Sequence, residues 1–238
     1  DRNKGGNAAR NTGIAAARAD IVAFQDSDDE WLVTKLEKQL RAFDALPMEE
    51  YGVVYCGKIV YGRDDRGNRG ARLAAYVPSR DRPVVDGELA NQLLRHPLIS
   101  TQTLVARKSL LQRVGGFDEE LSIGQDWDLT LRLARHTKVA FVEEPLVLTF
   151  VMRDSISLIR SNASKTWQKM LEKHYDLVSR DKYLHARNLT EIARIYQRAG
   201  QWAEARPYVR AALGVNWLYF AAWKAWWASG IRPGLRSR

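Results

Sequence analysis

The chain has 238 residues, 45% of them apolar, with 37 basic against 28 acidic side chains and a net charge of +9. That length and composition allow one sizeable domain with a small appendage and exclude a chain too polar to bury a core. A single cysteine, Cys56, excludes an intrachain disulfide and a thiolate-built metal site and fits a reducing, cytoplasmic compartment, while the positive charge favours anionic partners such as nucleotides or phospholipid headgroups.

The chain opens on Asp1-Arg2-Asn3-Lys4-Gly5-Gly6 rather than on Met and reads as a loop entering a helix, as expected of a piece of a longer protein. The Ala-rich stretch 7–19 has good helix composition, and residues 21–25 read as a strand ending in Asp26-Ser27-Asp28-Asp29. In residues 31–46, Leu32, Leu36, Leu40 and Phe43 recur at helical spacing. A strand is expected over 53–61. The stretch holding Arg63, Arg66, Arg69, Arg72, Arg80 and Arg82 lacks aromatic interleaving and any nucleic-acid motif, so it reads as a solvated loop that touches substrate, with no nucleic-acid partner.

Next come a short helix (87–95), a strand (101–106), a helix (108–114), a Gly-Gly-Phe-Asp turn at 115–118, a helix (126–135) and two β-like runs, 139–142 and 146–151. From Ser164 the pattern is helical, and Ala193, Tyr196, Gly200, Ala205 and Ala212 stand at the spacings of one tetratricopeptide-type hairpin. Such a unit needs neighbours to bury its faces, so it is expected to dock on the preceding domain or on a partner. No apolar run approaches the roughly 20 residues of a membrane-spanning helix. In the tail, Trp217, Tyr219, Phe220, Trp223, Trp226 and Trp227 stand among basic residues. These suit a membrane interface, and they also suit a terminal helix packing its rings on the domain.

Three places could carry chemistry. Asp26 and Asp28 alternate about Ser27, so in an extended segment both carboxylates leave one side and reach one cation or its waters. Asp is also a turn and cap residue, and Asp29 is expected to cap the following helix. Gly124-Gln125-Asp126-Trp127-Asp128 starts a helix, where the dipole alone favours acidic residues. The alternative makes Asp126 a general base beside an acceptor hydroxyl, with Trp127 as an apolar wall. Arg10, one turn into the first helix, suits a phosphate, and close packing of small residues explains its Ala and Gly neighbours equally well.

Together, Gly-Gly-Asn-Ala-Ala-Arg-Asn-Thr-Gly-Ile (5–14), Phe-Gln-Asp-Ser-Asp-Asp-Glu-Trp (24–31), Val-Gly-Gly-Phe-Asp-Glu-Glu-Leu (114–121) and Gln-Asp-Trp-Asp-Leu-Thr-Leu-Arg-Leu (125–133) resemble family 2 inverting glycosyltransferases, in order and in separation. The resemblance implies an α/β fold of the GT-A type: a Rossmann-like mixed sheet flanked by helices over residues 1–160, N-terminally truncated, with an all-α extension over 161–238. It implies a nucleotide-diphospho-sugar donor, a glycan or lipid-linked acceptor and a role in polysaccharide or glycan biosynthesis. Asp26 and Asp28 are then the Asp-x-Asp motif that meets the donor's ribose, diphosphate and Mn²⁺ or Mg²⁺. Asp126 is the base, Arg10 and Arg153 meet the donor, and Gln125 and Trp127 meet the acceptor.

Three departures stand out. Gln125 replaces the usual Glu before the base. Met152-Arg153-Asp154 precedes Ser155-Ile156-Ser157 where the family often has His. The family's opening strand, with its Pro-x-Tyr-Asn-type segment and the following acidic nucleotide-binding motif, is not in this chain, so these residues are expected to bind donor poorly. The departures leave open a second reading, a transferase-like binding or scaffold module acting through its helical tail. A lipid-linked acceptor implies a location at the inner face of a membrane.

Overall fold

The computed structural model describes residues 4–63, 69–77, 87–121, 123–150 and 160–230. Two compact units share the chain, Asp1–Ser155 and Ile156–Arg238.

In the first unit, α1 (Gly6–Ala16) precedes β1 (Ile21–Ala23), and β2 (Asp29–Trp31) precedes α2 (Lys35–Asp44). The long strand β3 (Tyr51–Arg63) is followed by β4 (Arg69–Val77), the short helix α3 (Ala90–Leu93), a 3-10 turn at Thr101–Thr103 and β5 (Leu104–Arg107). Then come α4 (Lys108–Arg113), α5 (Gln125–Ala134) and β6 (Lys138–Phe150). Among the described residues the sheet has six strands in the order β1-β5-β3-β6-β2, with β4 paired to β3. It is mixed: β3 runs parallel to β6, and the other pairings are antiparallel. The buried middle of β3, Val53 to Cys56, explains why that run lacks alternation: both of its faces are covered.

The structure corrects several expected elements. Residues 139–150 are not two strands: β6 passes through Pro145, whose partner Gly57 marks a shift of register in β3. Proline has no N–H to give the ladder, so the strand is irregular there instead of ending. Arg69 and Arg72 lie in β4, so the arginine-bearing stretch is partly a hairpin with β3; Arg66, Arg80 and Arg82 lie outside the described residues.

The greatest change is in α2. It starts four residues later than expected because Asp29–Trp31 pairs with β6. Leu32, Leu36 and Leu40 are exposed, and the buried stripe is Lys35, Gln39 and Phe43. Phe43 packs with Val54, Val105 and Ala140, and Gln39 Nε2 donates to the carbonyls of Val54 and Thr103 at 3.3 and 3.0 Å. Lys35 is fully buried, its Nζ lies 4.0 Å from the Trp31 ring centre, and among the described residues it has no hydrogen-bond partner.

In the second unit α6 (Arg160–Lys173), α7 (Tyr175–Val178), α8 (Lys182–Arg198), α9 (Trp202–Val215) and α10 (Phe220–Gly230) follow in order. Asp181 caps α8 by accepting from the N–H groups of Tyr183 and Leu184. Gly200, at φ 77°, makes the turn into α9. Ala193 of α8, Ala205 and Val209 of α9 and Ala225 of α10 form one core cluster. Gln168 of α6 donates to the hydroxyls of Tyr196 and Tyr208, both at 2.7 Å. The α8–α9 hairpin therefore finds its neighbours in α6 and α10 of its own unit. Among the described residues no helix is long and apolar enough to cross a membrane.

Burial without a hydrogen bond lowers the Lys35 pKa to about 8 and burial raises that of Cys56 to about 11. Holding the Lys35 charge inside the fold costs roughly 3 kcal/mol at neutral pH, against about 1–2 kcal/mol returned by the contact with Trp31. Lys35→Met is accordingly expected to stabilise the protein by roughly 1–2 kcal/mol at pH 7. Because the folded pKa lies below the unfolded one, the Lys35 penalty is complete below about pH 8 and fades as pH rises toward the free-lysine value. The advantage of Lys35→Met should shrink over that range in urea titrations; an advantage that grows would contradict the assignment.

Candidate active site

The site is assembled from four chain-distant pieces, and α1 joins two of them. Asn7 Nδ2 donates to the carbonyls of Asp118 and Leu121 at 2.8 and 2.7 Å. Asn11 Nδ2 donates to the Phe117 carbonyl at 2.9 Å, and Asn11 Oδ1 accepts from the Phe117 N–H at 2.8 Å. Between them on the same helix, Arg10 makes an ion pair with Asp26 at 2.6 Å. Phe117 packs edge-on against Phe24 and lies under the Arg10 guanidinium, 5.5 Å from its ring centre. The repeated Asn and Arg of the 5–14 segment are therefore the teeth of a clasp between the end of β1 and the loop before α5. The backbone requires glycine at 116, where φ is 66° and a Cβ would collide with Asn11 Oδ1.

Asp26 to Asp29 is a turn rather than an extended segment: the Asp29 N–H donates to the Asp26 carbonyl at 3.2 Å. Asp26 is part-buried, Asp28 is exposed, and Asp29 is buried in β2. Asp29 does not cap α2, whose preceding residue is Thr34. Its carboxyl is raised to about 6, first by burial and then by the charges of Asp28 and Asp26, against the opposing effects of Lys58 and the Thr149 hydroxyl. These three carboxylates are thus close enough to repel one another.

The loop at 115–121 leads to Gly124, left-handed at φ 80°, and then to α5. Asp126 stands in its first turn and accepts from the Trp127 N–H at 2.8 Å. Burial raises the Asp126 pKa; that N–H and the Lys58 charge oppose the rise, and Asp26 adds to it. Trp127 is not an open apolar wall. It is buried, with its indole N–H donated to the Leu93 carbonyl, because that face of α5 packs under α3. Asp128 is fully buried and pairs with Arg132, which also donates to the carbonyls of Val114 and Gly116. Asp128 therefore braces the loop from behind. Gln125 Oε1 is buried with no hydrogen-bond partner among the described residues. Arg153 lies outside the described residues.

Lys58, from the middle of β3, is the residue that sequence inspection did not single out. Its Nζ donates to Ser100 Oγ at 2.7 Å. Burial lowers its pKa, while Asp126, Asp29 and Asp26 together hold it up. One part-buried ammonium therefore feels three carboxylates contributed by two segments far apart in the chain, the acidic turn and the first turn of α5. An open cleft of about 380 Å³, lined by Arg10, Gly13, Ile14, Ala17 and residues 21–25, adjoins the Arg10–Asp26 pair.

Among the described residues no three acidic, His or Cys side chains form a cage for a metal ion. Asp26, engaged by Arg10, and the exposed Asp28 offer oxygen donors of the kind a hard cation takes.

The model of glycosyl transferase family 2 matches residues 1–113. These residues are therefore similar to that family. The segment carries the clasp helix and the acidic turn, and the mixed sheet flanked by helices is the expected fold class. Among curated proteins, the pre-mycofactocin glycosyltransferase of Mycobacterium tuberculosis is 35% identical over 133 residues, 55% of this chain and 26% of that protein. An uncharacterized glycosyltransferase of Rickettsia prowazekii is 27% identical over 179 residues, 74% of this chain and 52% of its own length. The chain thus matches about a quarter to a half of these relatives. Among solved structures, S. aureus TarS is similar at a TM-score of 0.49 and 16% identity, over 93% of this chain and 43% of that one. The mannosyltransferase PcManGT from Pyrobaculum calidifontis, solved with GDP-Man and Mn²⁺, is similar at 0.45 and 16% identity, over 99% and 57%.

Two measurements test this construction. Asn11→Ala orphans the Phe117 N–H and should cost roughly 1–3 kcal/mol, and Gly116→Ala roughly 2 kcal/mol or more. The double variant should lose less than the sum, since removing the carboxamide makes room for the new methyl; strict additivity in denaturant unfolding would refute the contact. In Lys58→Met the Asp126 carboxyl should titrate at higher pH than in the parent, because a neighbouring positive charge has gone. Carboxyl carbon shifts followed by NMR would show this, and an unchanged or lower titration midpoint would separate Lys58 from Asp126.

Proposed function

We propose that this chain carries part of an inverting glycosyltransferase that moves a sugar from a nucleotide-diphospho-sugar to an acceptor hydroxyl, on a glycan or lipid-linked acceptor in polysaccharide or glycan biosynthesis. The similarity of residues 1–113 to family 2 and the glycosyltransferase activity named for the curated relatives support the reaction class. The observation that carries the mechanism is the convergence of Asp26, Asp29 and Asp126 about Lys58.

In this reading Asp126 takes the proton of the attacking hydroxyl. Its partial burial makes it a stronger base than an exposed carboxylate, while the Lys58 charge favours its ionised form. The hydroxyl oxygen bonds to the anomeric carbon as the bond to the diphosphate breaks on the opposite face, so one displacement inverts that centre. Gln125 Oε1, buried beside the base and without a hydrogen-bond partner among the described residues, is the group available to orient a second hydroxyl of the acceptor. Arg10 and Lys58 place positive charge beside the donor's phosphates. Asp26 and Asp28 are the residues that would hold Mn²⁺ or Mg²⁺. Such a cation, when bound, supplies neutralisation of the charge on the departing nucleoside diphosphate. Trp127 acts behind the site, fixing the first turn of α5, rather than touching acceptor.

Asp126→Asn in the full-length protein is the direct test. Transfer should fall by roughly 10²–10⁴-fold while nucleotide-sugar binding persists. Activity within a fewfold of the parent would remove Asp126 as the base, and no transfer by the parent with or without added Mn²⁺ or Mg²⁺ would remove the enzymatic reading itself.

A further inference from the structure

Helix α10 is packed with its small side chains inward. Ala222 and Ala225 are buried in the clusters shared with α8 and α9. Trp226 packs half-buried against the second of these clusters, and the other large rings point the other way. Phe220, Trp223 and Trp227 stand at i, i+3 and i+7, one face of a helix, and Phe220 and Trp227 are 68% and 63% exposed. The preceding turn continues the face with Trp217 and Leu218, 69% and 70% exposed. Trp223 Nε1 donates to the Trp217 carbonyl at 2.7 Å, tying turn and helix into one surface. Lys224 lies on that face, its Nζ 5.0 Å from the Phe220 ring centre.

Burial drives large apolar rings inward, so an ordered helix that buries alanine and exposes tryptophan has an outer face shaped for something other than water. Charge selects what covers it. From residue 216 to 238 the sequence holds Lys224, Arg232, Arg236 and Arg238 and no acidic residue. A protein partner needs neither this one-signed charge nor rings that are apolar in body and polar at one edge. Both are what the headgroup region of an anionic bilayer accommodates, with tryptophan at the boundary and lysine reaching outward to the phosphates.

We propose that the face formed by Trp217, Leu218, Phe220, Trp223 and Trp227 is a bilayer-docking surface that seats α10 in the plane of an anionic membrane. The inference stands on this helix alone and is independent of the transfer reaction.

Co-sedimentation of the 238-residue chain with vesicles of phosphatidylcholine, with and without phosphatidylglycerol, tests it. The chain should pellet with the anionic vesicles and much less with the neutral ones. Phe220→Ser/Trp227→Ser changes exposed positions only, so its thermal melt followed by circular dichroism should match the parent, while partition onto anionic vesicles falls by roughly tenfold or more. Lys224→Glu should weaken binding to anionic vesicles and leave the weak neutral binding as it is. Equal binding by parent and double variant would overturn the proposal, as would a parent that stays in the supernatant. Self-association in sedimentation velocity that the double variant abolishes, without vesicle binding by the parent, would assign the face to a second copy instead.

Discussion

The hydrogen bonds from Asn7 and Asn11 of α1 to the backbone of residues 117–121 are the constraint on which the first unit's site depends. A loop between two helices has backbone groups that must be satisfied somewhere, and here a helix more than a hundred residues earlier satisfies them. The same helix turns Arg10 onto Asp26. One rigid rod thereby sets the separation between the acidic turn after β1 and the first turn of α5. Arg132 holds the loop from the other side through the carbonyls of Val114 and Gly116, with buried Asp128 balancing its charge. Asp126 is left between two braces, close to the part-buried ammonium of Lys58.

That arrangement explains why the acidic residues of this region divide into different kinds. Asp128 is fully buried and neutralised by an arginine one turn on, a structural ion pair. Asp29 is buried among like charges and titrates near 6. Asp126 is raised by burial and restrained by Lys58 and a backbone N–H. Groups of one residue type whose environments push their proton affinities apart are what acid–base chemistry needs. The second unit has a different logic: its helices bury alanine against alanine, stack Tyr196 on Tyr208, and leave Trp217, Phe220 and Trp227 outside.

Much of this was legible in the residues. The order of helix, strand, acidic turn and later Gln-Asp-Trp-Asp helix could be read because motif residues keep their spacing whatever packs on them. The Gly-Gly-Phe-Asp turn at 115–118 could be read too, and both of its glycines have the left-handed backbone that other residues avoid. The α2 face was not legible, since Leu32, Leu36 and Leu40 have the right period and the wrong phase: pairing of Asp29–Trp31 with β6 sets where the helix begins, and so which side turns inward. Trp127 looked like a substrate wall because ring chemistry is the same in a cleft and in a core. Asp29 looked like a helix cap because local rules cannot see a strand partner more than a hundred residues away. Lys58 gave no signal at all, being one lysine in a β-like run.

The amino-acid sequence by itself determined the likeness of residues 1–113 to family 2, the mixed α/β class with its helical continuation, and the identity of the acidic residues at two element boundaries. These rest on local periodicity and on motif order, which survive without knowledge of packing. Only the tertiary structure decided which carboxylates face one another, that a lysine stands among them, that Asp128 is an ion-pair brace, and that α10 turns Trp223 and Trp227 outward while packing Trp226 inward. Those outcomes depend on strand register and helix phase, and both are set by contacts between segments far apart in the chain.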